Sequence, residues 1–221
     1  MEQFKCDFVD FALEIGALKF GDFTLKSGRR SPFFFNAGSF NTGRSLARLC
    51  EFYARALIHQ DLKVDTIFGP AYKGIPLAAG TVMEYSRLTG QDLAYSSMRK
   101  EEKDHGDKGI FLGHKIEASE RVLILDDVVT SGISAQGSID ALCQTGCTIV
   151  GIEAALNRSE KGLDSDLSAL AELSEKNDIT GFAIVSLPEA VAYLRESRPD
   201  VLTAEQLRAI EQYFATYGAT R

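Results

Sequence analysis

The stretch RVLILDDVVTSGIS, Arg121 to Ser134, indicates the fold class. Its mainly apolar start predicts a strand over 121–125, and Asp126 and Asp127 follow that strand directly. A loop rich in hydroxyl groups comes next, and the pattern then predicts a helix over 134–145. In open α/β sheets, ligands bind beyond the carboxyl ends of the strands, so this stretch also predicts the place of a binding site.

The remaining chain repeats the alternation of strand and helix. Predicted helices cover 3–16, 42–60, 74–88 and 166–176, a short helix follows Pro188, and a last one starts at Thr203. Predicted strands cover 66–68, 93–98, 148–156 and 179–187, with two shorter β runs at 20–25 and 32–35. Apolar strands separated by helices are typical of a parallel sheet between helix layers. The sequence therefore predicts one α/β domain over 1–221 with an N-terminal extension.

Composition and charge exclude several classes of protein. Hydrophobic residues make up 45% and charged residues 25% of 221 residues, which is typical of a globular domain and not of a disordered chain. The net charge of −7 disfavours a nucleic-acid or anionic-membrane surface. No apolar run approaches the roughly 20 residues of a membrane span. We expect a cytoplasmic protein that binds neither nucleic acid nor membrane, with its four cysteines as reduced thiols and not zinc ligands.

The loop after the acidic pair carries the chemistry of a phosphate site. Backbone N–H groups and the hydroxyls of Thr130, Ser131 and Ser134 lie at a predicted helix N-terminus, and Gly132 permits close approach. Asp126 and Asp127 would repel a phosphate but fit sugar hydroxyls with a divalent cation nearby. A phosphorylated ribose offers both features. The alternative is a capped helix start with surface acids.

LILDDVVTSG resembles the phosphoribosyl pyrophosphate signature of type I phosphoribosyltransferases. The same signature occurs in phosphoribosyl pyrophosphate synthetases and in regulators without enzymatic activity. Residues 20–38, 68–76 and 99–106 resemble the bacterial orotate phosphoribosyltransferase family, in order and with matching spacing. The resemblance implies a mostly parallel sheet flanked by helices, a small N-terminal hood over about 1–40 and a flexible catalytic loop.

The resemblance also implies a reaction and its partners. The family transfers the 5-phosphoribosyl group of phosphoribosyl pyrophosphate to orotate, giving orotidine 5′-monophosphate and pyrophosphate in pyrimidine (UMP) biosynthesis. It implies Mg²⁺ as cofactor, bound mainly through the substrate, and a homodimer. Two rivals stay open: transfer to another base, and a regulator that senses phosphoribosyl pyrophosphate.

Site residues follow from the same resemblance, position by position. The catalytic set it implies is Arg99, Lys103, His105, Asp126 and Asp127. The set that binds phosphoribosyl pyrophosphate adds Lys26, Tyr72, Lys73, Lys100, Val128, Val129, Thr130, Ser131, Gly132, Ile133 and Ser134. In this set Arg99, Lys103 and His105 reach the neighbouring subunit's site, while Lys100 serves its own. A non-proline cis peptide bond is implied in the loop 71–74.

The orotate set implied by the resemblance is Lys26, Phe34, Phe35, Thr130 and Arg158. Arg158 would grip the orotate carboxylate, since a guanidinium binds a planar carboxylate with two parallel hydrogen bonds. Without the resemblance, the pattern around Phe34 and Phe35 indicates core residues. Lys26 would then be a solvated lysine, and residues 99–109 would be a surface loop. Ile133 and Asn157 depart from the family pattern, which bears on affinity and not on the type of reaction.

Overall fold

The computed structural model describes residues 1–25, 28–103, 109–129, 132–162 and 165–220, with the backbone alone at 100–103, 109–110 and 133. The helices are α1 Gln3–Glu14, α2 Gly43–Gln60, α3 Gly74–Thr89, α4 Ile133–Cys143, α5 Ala169–Asn177, α6 Leu187–Ser197 and α7 Ala204–Tyr217. The strands are β1 Leu18–Thr24, β2 Arg30–Phe35, β3 Thr66–Gly69, β4 Ala94–Lys103, β5 Gly109–Gly113, β6 Arg121–Asp126, β7 Thr148–Asn157 and β8 Thr180–Ser186.

The central sheet has six strands in the order β5-β4-β3-β6-β7-β8. All neighbouring pairs are parallel except β4 and β5, which confirms the predicted mostly parallel α/β fold. The chain runs from β3 to β4 on one side and later returns to β6 on the other side of β3. The strand order therefore reverses between β3 and β6, and the loops after these strands form a crevice at the same edge.

A separate antiparallel hairpin, β1 and β2, lies outside this sheet. The ring of Phe33 on β2 packs edge-on against Tyr213 and parallel to Phe214, both on α7. Buried side chains of α1, the hairpin, α2 and α7 form one hydrophobic cluster with one face of the central sheet. A second cluster covers the opposite face, between the sheet and α4 and α5.

Three helices begin at capping boxes, which fix their starts. Thr42 caps α2 with Ser45, and Thr203 caps α7 with Gln206, as the Thr203 pattern predicts. The third helix, α6, begins at Leu187 because Ser186 accepts a hydrogen bond from the backbone of Glu189. It therefore starts one residue before Pro188, which the first turn tolerates because N–H groups there have no partner within the helix.

The predicted surface loop over 99–109 is partly wrong. The backbone of 99–103 belongs to β4, and β5 begins at Gly109, a strand that the sequence analysis did not predict. The two strands form an antiparallel pair, whose backbone hydrogen bonds require no apolar side chains. The charged residues 99–103 extend β4 beyond its pairing with β3, which ends at Ser97, and their composition resembles that of a loop. Residues 104–108 lie outside the described part of the chain.

No helix within the described ranges combines the length and the apolar character that a bilayer crossing requires.

Candidate active site

Two loops meet where the strand order reverses. One follows β3 and carries Tyr72 and Lys73, and the other follows β6 and begins at Asp127. The Lys73 Nζ lies 2.5 Å from the Asp127 Oδ2, so an ion pair joins the two loops. The Ala71–Tyr72 peptide bond is cis, as the family resemblance implied. Tyr72 is 67% exposed, which leaves its side chain facing the crevice or solvent and not the core.

Two glycines allow the loop after β3 to fold tightly back on the strand. A Cβ on Gly69 would lie 2.0 Å from the carbonyl oxygen of Gly74, and a Cβ on Gly74 would lie 2.6 Å from the backbone of Gly69. The end of the strand and the start of α3 are therefore in contact through backbone. This contact fixes where Lys73 sits, directly before the helix.

Asp126 is held through both its carboxylate and its backbone. Its Oδ1 accepts a hydrogen bond of 2.8 Å from the backbone N–H of Asp127, and the Tyr53 hydroxyl donates to its carbonyl oxygen, also at 2.8 Å. Burial, followed by the charge of Asp127, raises the pKa of the Asp126 carboxyl to about 6. In this pair, the Asp127 carboxylate is bound to Lys73, and the Asp126 carboxyl is held in a fixed orientation with a raised pKa.

The N-terminus of α4 faces the end of β6. Gly132 has φ +73°, and a Cβ there would lie 3.3 Å from the Leu173 side chain, so both conformation and space favour glycine. The first turn holds no acidic residue that would repel an anion. Val129 is buried and anchors the loop, while Ser134 is exposed. Thr130 and Ser131 lie outside the described residues, and Ile133 is described through its backbone alone.

A second polar cluster lies beyond the end of β7. Arg158, 9% exposed, donates from Nε and Nη2 to Oε1 of Glu160, at 2.9 and 2.5 Å. The same oxygen accepts a 2.8 Å hydrogen bond from the Tyr213 hydroxyl. Arg29 binds the other carboxylate oxygen. The guanidinium carbon of Arg158 lies 4.6 Å from the ring centroid of Phe33, so the cluster joins β7, the hairpin and α7.

The two candidate phenylalanines differ in their surroundings because β2 alternates between buried and exposed positions. Phe34 is 37% exposed and stacks on Phe23, with ring centroids 5.6 Å apart. Phe35 is buried and packs against Phe8 and Phe40. The ring of Phe34 is therefore available to a flat ligand, whereas the ring of Phe35 is part of the core.

The remaining predicted residues are placed only in part. Arg99 lies half-buried in β4, at the carboxyl end that this strand shares with β3. Lys100 and Lys103 belong to β4 by their backbone. Lys26 and His105 fall outside the described residues, so the structure does not test their roles.

Comparison with known proteins identifies the family. Residues 36–186 match the family model of the phosphoribosyl transferase domain. An orotate phosphoribosyltransferase of Agathobacter rectalis is 48% identical over 225 residues, covering 99% of both chains. The chain belongs to the orotate phosphoribosyltransferase family. A second family member, from Aliivibrio fischeri, is 43% identical over 99% of this chain and 100% of its own.

A solved structure supports the same family. The orotate phosphoribosyltransferase of Francisella tularensis superimposes with a TM-score of 0.86 at 39% identity, covering 96% of this chain and 100% of that one. Adenine phosphoribosyltransferase from Saccharomyces cerevisiae gives a TM-score of 0.52 at 15% identity, which shows a shared fold only. The orotate phosphoribosyltransferase family is thus identified by sequence identity over the whole chain, and the wider fold group by architecture.

Sequence analysis missed four polar residues that support this family site: Tyr53, Glu160, Tyr213 and Arg29. Tyr53 belongs to an apolar helical stripe, which indicates core, and Tyr213 was not among the residues assigned to the apolar face of α7. Arg29 belongs to a cationic turn. The position of Glu160 two residues after Arg158 gave no usable signal, because Ser159 between them has a φ of +53° and the chain there is not extended.

Proposed function

We propose that this chain transfers the 5-phosphoribosyl group from phosphoribosyl pyrophosphate to orotate, at the crevice between β3 and β6. The observation that carries the proposal is the meeting of the acidic pair and the α4 N-terminus at one sheet edge, with a buried arginine beyond the adjacent strand. The acids suit ribose hydroxyls, the helix N-terminus suits the 5-phosphate, and Arg158 suits a carboxylate. Membership of the orotate phosphoribosyltransferase family supports the same reaction.

In the proposed reaction, the bond between ribose C1 and the pyrophosphate oxygen breaks, and a ring nitrogen of orotate forms the new bond to C1 as its proton passes to pyrophosphate or solvent. The sugar passes through an oxocarbenium-like state, as in other glycosyl transfers, so no covalent nucleophile is required. Asp126 and Asp127 hold the ribose hydroxyls and stabilise the positive charge on the sugar. Lys73 stabilises the negative charge that grows on pyrophosphate.

Mg²⁺ fits the donors of this site. Carboxylate and phosphate oxygens are the ligands that Mg²⁺ prefers, and Asp126 and Asp127 provide carboxylates beside the proposed pyrophosphate position. Within the described ranges, no group of three or more His, Cys, Asp or Glu side chains is arranged to hold a metal. The ion would be held by substrate oxygens together with the acidic pair, and it would neutralise charge on the leaving group.

We also propose a shared lid and a cytoplasmic homodimer. In this arrangement Arg99, Lys103 and His105 reach the pyrophosphate of the neighbouring subunit, and Lys100 contacts that of its own. Closure excludes water, which would otherwise hydrolyse the oxocarbenium-like sugar. The support is the family resemblance together with the position of Arg99 at the shared carboxyl edge.

The reaction can be tested by following base consumption and pyrophosphate release with phosphoribosyl pyrophosphate and Mg²⁺. We expect turnover with orotate and none with uracil, adenine, guanine or hypoxanthine, since these bases lack the carboxylate that Arg158 would bind. Removal of Mg²⁺ with EDTA is expected to abolish turnover, and added Mg²⁺ to restore it. Turnover with another base would contradict the base assignment, and binding of phosphoribosyl pyrophosphate without any turnover would favour the regulator.

Lys103→Ala tests the lid. Because Lys103 acts on the leaving group in this mechanism, we expect kcat to fall about 10²-fold. The dissociation constant of orotate, measured by calorimetry, is expected to change less than threefold. Equal losses in both quantities would contradict a role in the chemical step. Lys176→Ala, on the last turn of α5, is a matched control for loss of a surface lysine.

A further inference from the structure

We propose that Glu160 is a positioning residue for orotate, which orients the guanidinium of Arg158 and links it to helix α7 and to Arg29. This inference rests on the proposed function and identifies the residues that position the arginine for carboxylate binding. It adds three residues, Arg29, Glu160 and Tyr213, to a subsite that the sequence analysis assigned in part to Arg158.

The hydrogen bonds at Glu160 fix Arg158 in one orientation. Oε1 accepts from both Nε and Nη2 of Arg158, so the pair uses one edge of the guanidinium. A guanidinium has five N–H hydrogens, and these contacts take two. The remaining edge is held in place, ready for a second carboxylate. Because both side chains are about nine-tenths buried, water competes weakly for these bonds.

The charges of the cluster favour an incoming anion. Two guanidinium groups, those of Arg29 and Arg158, face the single carboxylate of Glu160, which leaves one positive charge in excess. The Nε of Arg29 is buried and has no acceptor within the described residues. Lys161, the next cation along the chain, is paired with Asp166. A ligand carboxylate would complete two pairs of opposite charge.

The walls of the cluster are aromatic. The guanidinium of Arg158 lies over Phe33, and that of Arg29 lies 4.9 Å from the ring centroid of Tyr217 and 5.6 Å from that of Tyr213. Phe34, the next residue on β2, is exposed and points to the opposite face of the strand from Phe33. The chemical class that fits the cluster is a carboxylate, held at its acid group by guanidinium groups that rest on aromatic rings.

The hydroxyl of Tyr213 connects this subsite to α7. It donates to the same Glu160 oxygen that receives Arg158, so a shift of α7 changes the orientation of the carboxylate and, through it, of the arginine. The hairpin is tied to the same helix because Phe33 packs edge-on against Tyr213, with centroids 5.7 Å apart. The C-terminal helix therefore contributes to orotate recognition without touching orotate.

Glu160→Gln is the first test. The amide keeps the shape of the side chain and an acceptor oxygen but removes the charge, so the side chain holds Arg158 more weakly. We expect the KM for orotate to rise about tenfold, with kcat and the KM for phosphoribosyl pyrophosphate within about twofold of wild type. If attraction alone set affinity, the added net positive charge would lower the orotate KM. A lower or unchanged orotate KM overturns the proposal.

Tyr213→Phe and Tyr193→Phe form a matched pair. Each removes a hydroxyl that donates 2.8 Å to a carboxylate, Glu160 in one case and the distant Asp10 in the other. We expect Tyr213→Phe to raise the orotate KM about threefold and Tyr193→Phe to leave it unchanged. The double variant Glu160→Gln/Tyr213→Phe is expected to be no worse than Glu160→Gln, because both changes act through one carboxylate.

The outcomes separate the inference from the function on which it rests. Wild-type chain that does not consume orotate overturns both. If the wild type turns over orotate but the two tyrosine variants have equal effects, the inference is overturned and the function stands. The same holds if the effects in the double variant are additive. A selective, non-additive change in orotate KM supports the assignment of Glu160 as a positioning residue.

Discussion

Asp126→Asn is expected to lower kcat/KM for phosphoribosyl pyrophosphate by about 10³-fold and, at pH 8, to raise the free energy of unfolding. The loss of activity follows because the amide carries no negative charge to stabilise the oxocarbenium-like sugar. The gain in stability follows because the buried Asp126 carboxylate lies beside the charge of Asp127, which disfavours its ionised form. The negative charge of Asp126 thus lowers the stability of the fold and supports catalysis.

The sign of the pH dependence follows from the pKa of Asp126, raised to about 6 from the usual 3.8. Between these values the folded chain binds more protons than the unfolded chain, so the free energy of unfolding falls as pH rises through this window. Two pKa units correspond to about 2–3 kcal/mol. Asp126→Asn is expected to remove this fall, which denaturant titrations at pH 4, 6 and 8 would measure.

Activity changes in the opposite direction over the same pH range. Protonated Asp126 cannot support the cationic sugar, so kcat/KM of the wild type is expected to drop below about pH 6. Asp140→Asn, an exposed aspartate on α4, is the control and is expected to change neither profile. Full activity in Asp126→Asn, or stability curves parallel to those of the wild type, would contradict the role assigned to Asp126.

The order and type of most helices and strands could be predicted because their local sequence patterns agree with the fold. Apolar runs such as 148–156 can be buried only in a sheet covered on both faces, and Thr203 with Gln206 marks a helix start by local chemistry alone. The strand β5 could not be predicted. It is a run of only five residues, Gly109–Gly113, and its pairing with residues 96–98 of β4 is a contact that no local pattern specifies. The end of β4 was missed because residues 99–103 are all charged and resemble a loop in composition.

The acidic pair and the loop after β6 could be predicted because they lie within one short segment of sequence. The carboxylate cluster could not. Arg29, Glu160 and Tyr213 are far apart in the chain and meet only because α7 packs on the hairpin beside the end of β7. Tyr213 was not assigned to the apolar face of its helix, and no local pattern indicates that its hydroxyl binds Glu160.

Glu153 carries the second large prediction. It lies on β7, next to the edge strand β8, aligned with Leu125 of β6 and Phe182 of β8, and it is fully buried. Neither carboxyl oxygen has a hydrogen-bond partner within the described residues. Burial therefore raises the pKa of Glu153 well above its usual value, and the folded chain holds this side chain in its neutral, protonated form.

Glu153→Gln is expected to stabilise the chain increasingly as pH rises. Above about pH 4.5 the unfolded chain releases the proton of Glu153 while the folded chain retains it, so the wild type loses about 1.4 kcal/mol per pH unit from this group. Glutamine is neutral in both states and loses nothing. At pH 5 the two proteins should differ little, and the variant should become progressively more stable than the wild type as the pH rises to 7.

Denaturant titrations of both proteins at pH 5, 6 and 7 measure this difference directly. Asp126 contributes the same pH dependence to both, so it cancels in the comparison. Glu117→Gln, at an exposed position before β6, controls for the loss of one negative charge and is expected to give a constant, small difference at all three pH values. If the curves for Glu153→Gln and wild type run parallel, Glu153 is ionised in the folded chain. A buried cation or polar group would then have to accompany it, because an isolated carboxylate in that apolar layer would cost more than the fold can supply.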